Sequence, residues 1–140
     1  MPLELSSLRK AVGALDAVVN KAADAQFMAS QDEVVQNAIT SGAIQHFEFT
    51  YELCWKFLKR WLEANVAPAV ADGVSRRELF RMAAENRLIE SIEAWMRFHE
   101  ARNQTSHTYE PAVARQVFEV ARSFVPDARR LLEALEARND

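Results

Sequence analysis

Apolar residues recur at helical spacing along most of the chain. In the first segment they follow one another at steps of four, three, four and three residues, which places them on one face of a helix predicted from about Leu5 to Ala25. They are Leu8, Val12, Leu15, Val19 and Ala22. Ser30-Gln31-Asp32-Glu33 then has the pattern of a capping box. We therefore predict that a second, long helix begins there and ends near Ala64.

The middle of the long helix carries two signals that compete with a continuous helix. Thr40-Ser41-Gly42 predicts either a kink in the helix or its true start. Phe47-Glu48-Phe49-Thr50-Tyr51 alternates between apolar and polar residues as a strand does. Helical spacing nevertheless continues without a breaker through Leu53, Phe57 and Trp61. We therefore interpret this segment as helix.

Two shorter helices are predicted after a loop that covers 64–74. Ser75-Arg76-Arg77-Glu78 is a second capping box, and it opens a short helix that ends at about Asn86. Ser91 starts a fourth helix. This helix must end before Pro111, because the residue that precedes a proline avoids the α region.

A last helix is predicted from Pro111 to about Ala137, since proline suits the first turn of a helix. Pro126 lies inside it and lacks an N–H group, so we expect a kink or a break there. Among 140 residues only 3 are Gly and 4 are Pro, fewer turn residues than a β-sandwich or a glycine-loop nucleotide fold needs. The sequence therefore predicts one all-α domain over residues 1–140, an antiparallel four-helix up-and-down bundle with an additional short helix.

The cysteine content and the hydropathy pattern bear on the cellular setting. Cys54 is the single cysteine, which excludes an intramolecular disulfide and a zinc site built from thiolates. No stretch approaches the ~20 uninterrupted apolar residues of a membrane-spanning helix, and the N-terminal residues lack the apolar core of a signal peptide. We expect a soluble cytoplasmic protein that requires no membrane, no metal and no cofactor.

The charge of the chain restricts the kinds of partner. With 17 basic and 20 acidic residues, the net charge is −3. A broad electrostatic surface for nucleic acid would need a basic face instead. The basic residues are unevenly distributed, however, because every one of them after residue 73 is Arg. A local arginine site for a phosphate group is compatible with this distribution.

The segment from Arg102 to Pro111 places three kinds of polar side chain close together in sequence. In a continuous helix Arg102 and His107 would face different sides, since positions five apart differ by ~140° of rotation. If the helix ends between them, as Pro111 requires within a few residues, His107 is free to fold back toward Arg102. If residues 107–109 are extended, Tyr109 lies on the same side as His107. A fixed cation, a titratable imidazole and a phenol then surround one small space.

Such a set suits phosphodiester chemistry without a metal. His107, with an ordinary pKa near ~6.5, takes a proton from a ribose 2′-hydroxyl or gives one to a leaving oxygen. Arg102 holds the phosphate bidentately, and Asn103 or Thr105 orients the nucleotide backbone. The same spacing also fits a plainer role in which Arg102 and His107 cap the helix C-terminus, where cations are favoured. Both interpretations are open on the residues alone.

The spacing R-x4-H-x-Y, formed by Arg102, His107 and Tyr109, resembles the motif of the HEPN superfamily of helical ribonucleases. More narrowly, it resembles HepT toxins and their close relatives, the nucleotidyltransferase substrate-binding proteins. The long-helix sequence Ile44–Lys56 is similar to the pattern of the substrate-binding branch. The resemblance spans most of the chain, roughly 5–137, and is specific in two stretches, about 44–62 and 95–111.

The resemblance implies a homodimer in which Arg102 and His107 of both chains face one cleft and cut RNA without a metal. It also implies a partner, a minimal nucleotidyltransferase that acts as antitoxin by adding AMP to Tyr109. Each AMP would bring bulk and negative charge into a cleft that must accept RNA phosphate. On this basis Arg102 and His107 are the expected catalytic residues, Asn103 and Thr105 the expected substrate-binding residues, and Tyr109 the modification site.

Three further polar residues lie near these two stretches. His46 stands where the long-helix pattern often has Arg, and we interpret it as a polar-face or interface residue. His99 lies one turn before Arg102 and is close enough to share its face, so it is expected to be structural or to support the cleft. Glu52 either belongs to a solvated stripe with Lys56 or orients Arg102.

The residues leave other functions open. The protein is alternatively a non-catalytic substrate-binding subunit of a nucleotidyltransferase, which the net charge of −3 favours because an acidic chain fits free RNA poorly. A third possibility is a helical dimer in which R-x4-H-x-Y only caps a helix. The chain contains no glycine-rich phosphate loop and no paired nucleotidyltransferase carboxylates. It is therefore not expected to be the ATP-using enzyme itself.

Overall fold

A computed structural model describes residues 2–139, and within them the chain is helical and contains no strand. The all-α prediction is confirmed, but the count of helices is higher than predicted. Residues 2–139 contain six α-helices and one short 3-10 turn between the last two. They are α1 (Ser6–Ala23), α2 (Ala25–Ala29), α3 (Glu33–Asn65), α4 (Arg76–Glu85), α5 (Ile92–Asn103), the 3-10 turn (Thr105–His107) and α6 (Pro111–Ala137).

The four long helices α1, α3, α5 and α6 form the bundle, and α4 packs against α3 and α5. Phe124 of α6 lies at the centre of an aromatic cluster, with its ring centroid 5.2 Å from that of Phe47, 5.6 Å from that of Trp95 and 5.0 Å from that of Phe98. All four side chains are buried. These edge-to-face contacts fix the position of α5 against α3 and α6, and α5 carries Arg102.

Two of the three predicted capping residues have the predicted role. The Ser75 hydroxyl accepts from the Glu78 N–H at 3.1 Å, and the Ser91 hydroxyl accepts from the Ala94 N–H at 3.0 Å. At the start of α3 the prediction was wrong, because Asp32 is the N-cap residue and accepts from the Val35 N–H at 2.9 Å. Ser30 instead ends the unpredicted helix α2, where its hydroxyl donates to the Phe27 carbonyl.

Neither position at which the sequence predicts a kink interrupts its helix: the alternative helix start at 40–42 and the alternative break at Pro126 are absent, and the kinks stay predictions. Helix α3 runs unbroken through Thr40-Ser41-Gly42, where the Thr40 hydroxyl donates to the Gln36 carbonyl at 3.1 Å. Helix α6 likewise continues through Pro126. The residues Phe124, Val125 and Ala128 around this proline are buried. Their packing keeps the helix continuous although the proline supplies no N–H group.

Among residues 2–139 no helix is both long enough and apolar enough to cross a bilayer. The chain therefore presents no candidate for a spanning helix within the described part.

Candidate functional site at the end of helix α5

Arg102 lies in the last turn of α5 and is held by two carboxylates of the long helix α3. Its Nε–H donates to Glu52 Oε1 at 2.8 Å, and its Nη1 lies 3.2 Å from Glu48 Oε2. Glu48 and Glu52 are four residues apart, so they occupy one face of α3. The Arg102 side chain remains about one third exposed, at 33%. The guanidinium is thus fixed in orientation but open to solvent on one side.

Glu52 is itself held from its other side. Trp55 Nε1 donates to Glu52 Oε2 at 2.9 Å, while Arg102 bonds to Oε1. Burial raises the pKa of Glu52, but the hydrogen bonds from Arg102 and Trp55 outweigh burial and hold the pKa below its usual value. Glu52 is therefore ionised at neutral pH, and both of its oxygens have defined donors.

Thr105 attaches the turn after α5 to the long helix. Its hydroxyl lies 2.6 Å from Glu48 Oε2 and 2.8 Å from the carbonyl oxygen of Arg102. A hydroxyl has one proton to donate, so it serves one of these acceptors at a time. The contacts of Thr105 therefore support the position of Arg102, and binding of substrate by this residue stays a prediction.

His107 and Tyr109 occupy an exposed turn. The condition considered above, an extended segment over 107–109, is not met, because Thr105–His107 forms a 3-10 turn and Thr108 has φ −76° and ψ 0°. The backbone is folded because the His107 N–H donates to the Gln104 carbonyl at 2.9 Å. The rings of His107 and Tyr109 are nevertheless near each other, with centroids 6.3 Å apart. Tyr109 is 77% exposed.

The structure joins some of the sequence-predicted residues and leaves others apart. Glu52 and Thr105 lie with Arg102 around one side of α3. No hydrogen bond within residues 2–139 joins the His107 side chain to Arg102. His46 is exposed on α3. In the single chain the Arg102 guanidinium is therefore held by side chains of α3, whereas the His107 imidazole is exposed to solvent.

His99 and Asn103 form a second polar group on the same helix. His99 Nδ1 lies 2.9 Å from the hydroxyl of Tyr51, and His99 Nε2 lies 3.5 Å from the side-chain nitrogen of Asn103. Burial, and then the charge of Arg76, lower the pKa of His99, and Arg102 acts in the same direction. His99 is therefore neutral at neutral pH.

Sequence reasoning did not assign Glu48 or Tyr51 to the site. Glu48 was visible as the residue one turn before Glu52, but only the position of α5 shows that both carboxylates face Arg102. Tyr51 was visible as a phenol within an otherwise apolar stripe. Such a hydroxyl needs a partner when it is buried.

Two surface grooves adjoin these residues. One, of about 400 Å³, lies beside Arg102 on α3, and Phe49, Leu53 and Lys56 line it together with the two carboxylates. Phe49 is 57% exposed there. The other, of about 660 Å³, lies between α5 and α6, and its rim carries Arg97 and Arg115 against Glu100 and Glu119, so its formal charges balance.

Comparison with known proteins identifies the family. Residues 3–137 match the model of the family "Nucleotidyltransferase substrate binding protein like". The chain belongs to this family. A protein from Haemophilus influenzae, the "Probable ribonuclease HepT", is 33% identical over 138 residues, which cover 98% of this chain and 94% of that protein. This protein is therefore a HepT-like member of the family.

Two solved structures share the fold of this HepT-like chain. One, from Haemophilus influenzae, reveals the fold of a substrate-binding domain of a nucleotidyltransferase; it has a TM-score of 0.91 and 31% identity and covers 95% of this chain and 99% of that one. The other, from Thermus thermophilus, has a TM-score of 0.65 and 27% identity and covers 94% of this chain and 97% of that one. The bundle and the family assignment thus agree.

Proposed function

We propose that this HepT-like protein is the toxin of a toxin–antitoxin pair, a metal-independent endoribonuclease that acts in the cytoplasm as a homodimer. Its partner is a minimal nucleotidyltransferase that inhibits it by transferring AMP to Tyr109. The observation that carries the proposal is the oriented, partly exposed guanidinium of Arg102, which is followed five and seven residues later by the exposed side chains of His107 and Tyr109. The kinship with a probable ribonuclease supports it.

Arg102 is the phosphate-binding residue in this proposal. Its Nε and Nη1 face the carboxylates of Glu52 and Glu48, whereas Nη2 donates no hydrogen bond within residues 2–139. The N–H groups on that nitrogen are therefore available to a phosphate oxygen. The carboxylates fix the plane of the guanidinium before substrate arrives, which reduces the reorganisation needed in the transition state.

His107 is the acid–base residue. It takes the proton of a ribose 2′-hydroxyl as that oxygen attacks the neighbouring phosphorus, or it gives a proton to the 5′-oxygen that leaves. The attack forms one P–O bond and breaks another, so the products are a 2′,3′-cyclic phosphate and a 5′-hydroxyl. One His107 from each protomer supplies the base and the acid in the dimeric cleft.

Tyr109 is the residue that regulates this cleft. Its hydroxyl oxygen attacks the α-phosphorus of ATP in the partner's active site, losing its proton and releasing pyrophosphate. The product carries a phosphodiester on a ring that lies 6.3 Å, centroid to centroid, from that of His107. Bulk and negative charge then oppose the entry of RNA phosphate.

The His107→Ala variant tests the catalytic role. We expect it to abolish RNA cleavage and growth toxicity, while the assembly measured by light scattering is unchanged. His46→Ala is the matched control, because His46 is also an exposed histidine but lies on α3. Cleavage in the presence of EDTA tests metal independence. Toxicity that persists in His107→Ala would contradict the assignment.

The intact mass of the protein tests the regulatory role. Co-expression with the neighbouring nucleotidyltransferase gene is expected to add one or more AMP units, and Tyr109→Phe is expected to remove the gain. A gain that persists in Tyr109→Phe would place the modification elsewhere.

A second function, that of a non-catalytic substrate-binding subunit, is favoured by the pairing of Arg102. Two carboxylates face this one cation, so the site has little net positive charge for RNA. The net charge of −3 acts in the same direction. This function predicts a stable complex with the nucleotidyltransferase, no mass gain, and no cleavage of RNA by the purified protein.

A further inference from the structure

Tyr51 points a hydroxyl from the interior of the bundle toward the site. The residue is 1% exposed, and the partner of its hydroxyl within residues 2–139 is His99 Nδ1, at 2.9 Å. Buried hydroxyl groups are almost always hydrogen-bonded, because an unpaired one loses its bond to water without compensation. The contact with His99 therefore has to satisfy the phenol proton.

This requirement decides which nitrogen of His99 carries the proton. In a neutral imidazole one nitrogen is a donor and the other an acceptor. If Nδ1 carried the proton, it would donate to the Tyr51 oxygen and the phenol proton would have no acceptor. If Nδ1 is the acceptor, both groups are satisfied and the proton of His99 lies on Nε2. The geometry therefore selects the Nε2–H form.

The Nε2–H group of His99 faces the side chain of Asn103. The distance from Nε2 to the amide nitrogen is 3.5 Å, and two donors do not bond to each other. A 180° turn of the amide exchanges its two terminal atoms and places Oδ1 toward Nε2–H. The amide NH₂ then faces away from His99, on the exposed side of the residue that follows Arg102.

We infer that Tyr51 and His99 are positioning residues that fix the tautomer of His99 and thereby turn the NH₂ group of Asn103 outward as a hydrogen-bond donor. The ligand of that donor is an anionic oxygen, and under the proposed function it is a phosphate of the RNA bound by Arg102. The assignment of the His99 tautomer follows from the contacts with Tyr51 and Asn103, whereas the identification of the ligand as an RNA phosphate rests on the proposed function.

The charges around His99 are consistent with a neutral ring. Tyr51 lies on one side, and burial raises its pKa, so its phenol stays protonated. Arg76 and Arg102 disfavour the imidazolium, while Glu52 and Glu100 favour it, and burial is the largest influence. Protonation would also turn Nδ1 into a donor and leave the phenol proton without an acceptor.

The test is a two-bond proton–nitrogen correlation spectrum of the protein labelled with ¹⁵N in histidine and asparagine. We expect a pyridine-type Nδ1 and a pyrrole-type Nε2 for His99 across neutral pH. Exposed His46 is the internal control, because it should show an averaged pair of shifts. Tyr51→Phe keeps the ring and removes the hydroxyl, and it should mix the His99 tautomers and shift the side-chain amide of Asn103.

Either of two results would overturn the inference. A pyrrole-type Nδ1 in the wild-type protein would show that the proton of His99 lies on Nδ1 and not on Nε2. Unchanged His99 and Asn103 signals in Tyr51→Phe would show that the phenol does not set them. Because the wild-type spectrum needs no substitution, the inference is decided even if Tyr51→Phe fails to fold.

RNA cleavage provides the functional readout. His99→Gln retains an N–H near the position of Nε2, so we expect it to keep most of the rate. His99→Leu removes the hydrogen bond that orients Asn103 and should lower kcat about tenfold. In an Asn103→Ala background the two His99 variants should be equal. If His99→Gln and His99→Leu cleave RNA at equal rates when Asn103 is intact, positioning through this amide is contradicted. If the wild-type protein cuts no RNA, the proposed function fails, and the spectrum still decides the tautomer.

Discussion

Replacing Glu52 by Gln tests whether the long helix holds Arg102 in its observed orientation. Gln has nearly the same shape, but it offers one acceptor atom where the carboxylate offers two. Either Arg102 Nε–H or Trp55 Nε1–H must then lose its acceptor. We expect the free energy of unfolding to fall and the interaction with Arg102 to account for much of the loss.

The magnitude follows from exposure and geometry. Hydrogen bonds to a charged group contribute about 1.5–3 kcal/mol when they are protected from water, whereas exposed ion pairs contribute about 0.2–1 kcal/mol. The Arg102 and Glu52 side chains are 33% and 31% exposed, between these limits. A coupling energy of about 1 kcal/mol is therefore expected. Glu48 should couple less, because its contact is longer and its side chain is 38% exposed.

The assay is a double-mutant cycle of Glu52→Gln and Arg102→Gln, measured by urea unfolding. A cycle of Glu119→Gln and Arg122→Gln is the control, because that pair is 3.4 Å apart and about half exposed or more, and its coupling should be near zero. A coupling between Glu52 and Arg102 that matches the control would refute the claim that α3 holds the guanidinium.

Acidification provides an independent check on the same pair. The folded-state pKa of Glu52 lies below its ordinary value of 4.5. Its contribution to stability is therefore fully present above pH 4.5 and is lost as the pH falls through the folded-state pKa. The difference in stability between the wild-type protein and Glu52→Gln should shrink over that range. A difference that stays constant to low pH would show that the carboxylate charge is not involved.

Two further predictions concern the fold. Ser91→Ala should lower the free energy of unfolding by about 1 kcal/mol because it removes the N-cap of α5, whereas Ser30→Ala should have a smaller effect because Ser30 is not an N-cap; equal losses by urea unfolding would contradict the observed caps. Cys54 is fully buried, and burial raises the pKa of its thiol, so it should react with a thiol reagent only at the rate of opening or unfolding; rapid reaction of the folded protein would contradict this packing.

The helices could be predicted from sequence where one local signal acted alone. Ser75 and Ser91 each stand immediately before an apolar periodic segment, and both are the observed N-caps. Around residue 30 the capping-box pattern predicted Ser30 as the N-cap, whereas the observed N-cap is Asp32, two residues later. The choice between them depended on helix α2, which has five residues and leaves almost no periodic pattern.

The continuity of α3 and α6 could not be predicted in the same way. Gly42 and Pro126 both have low helix propensity, and this is why the sequence predicts a disturbance of the helix at each position. The packing of neighbouring residues against other helices decides the outcome, as the buried Phe124 and Ala128 show for α6. Such contacts join residues that are distant in sequence, so no local pattern contains them.

The same distinction explains which parts of the candidate site were visible in advance. The sequence placed Arg102, His107 and Tyr109 near one another because they are close along the chain. The supports of Arg102 come from α3, about fifty residues earlier. The conformation of the turn at His107 could not be predicted, because an extended and a 3-10 backbone are both compatible with this loop composition.

The two stretches that carry the family resemblance are the ones that meet in the structure. From the long helix, Tyr51 contacts His99, and Glu52 contacts Arg102. Glu48 contacts both Arg102 and Thr105. The R-x4-H-x-Y sequence is therefore only half of a unit whose other half orients the cation and the ring beside it. A chain with this motif but without acceptors at the positions of Glu48 and Glu52 would present a guanidinium of undefined orientation, which would bind phosphate as a cation without being preorganised for catalysis.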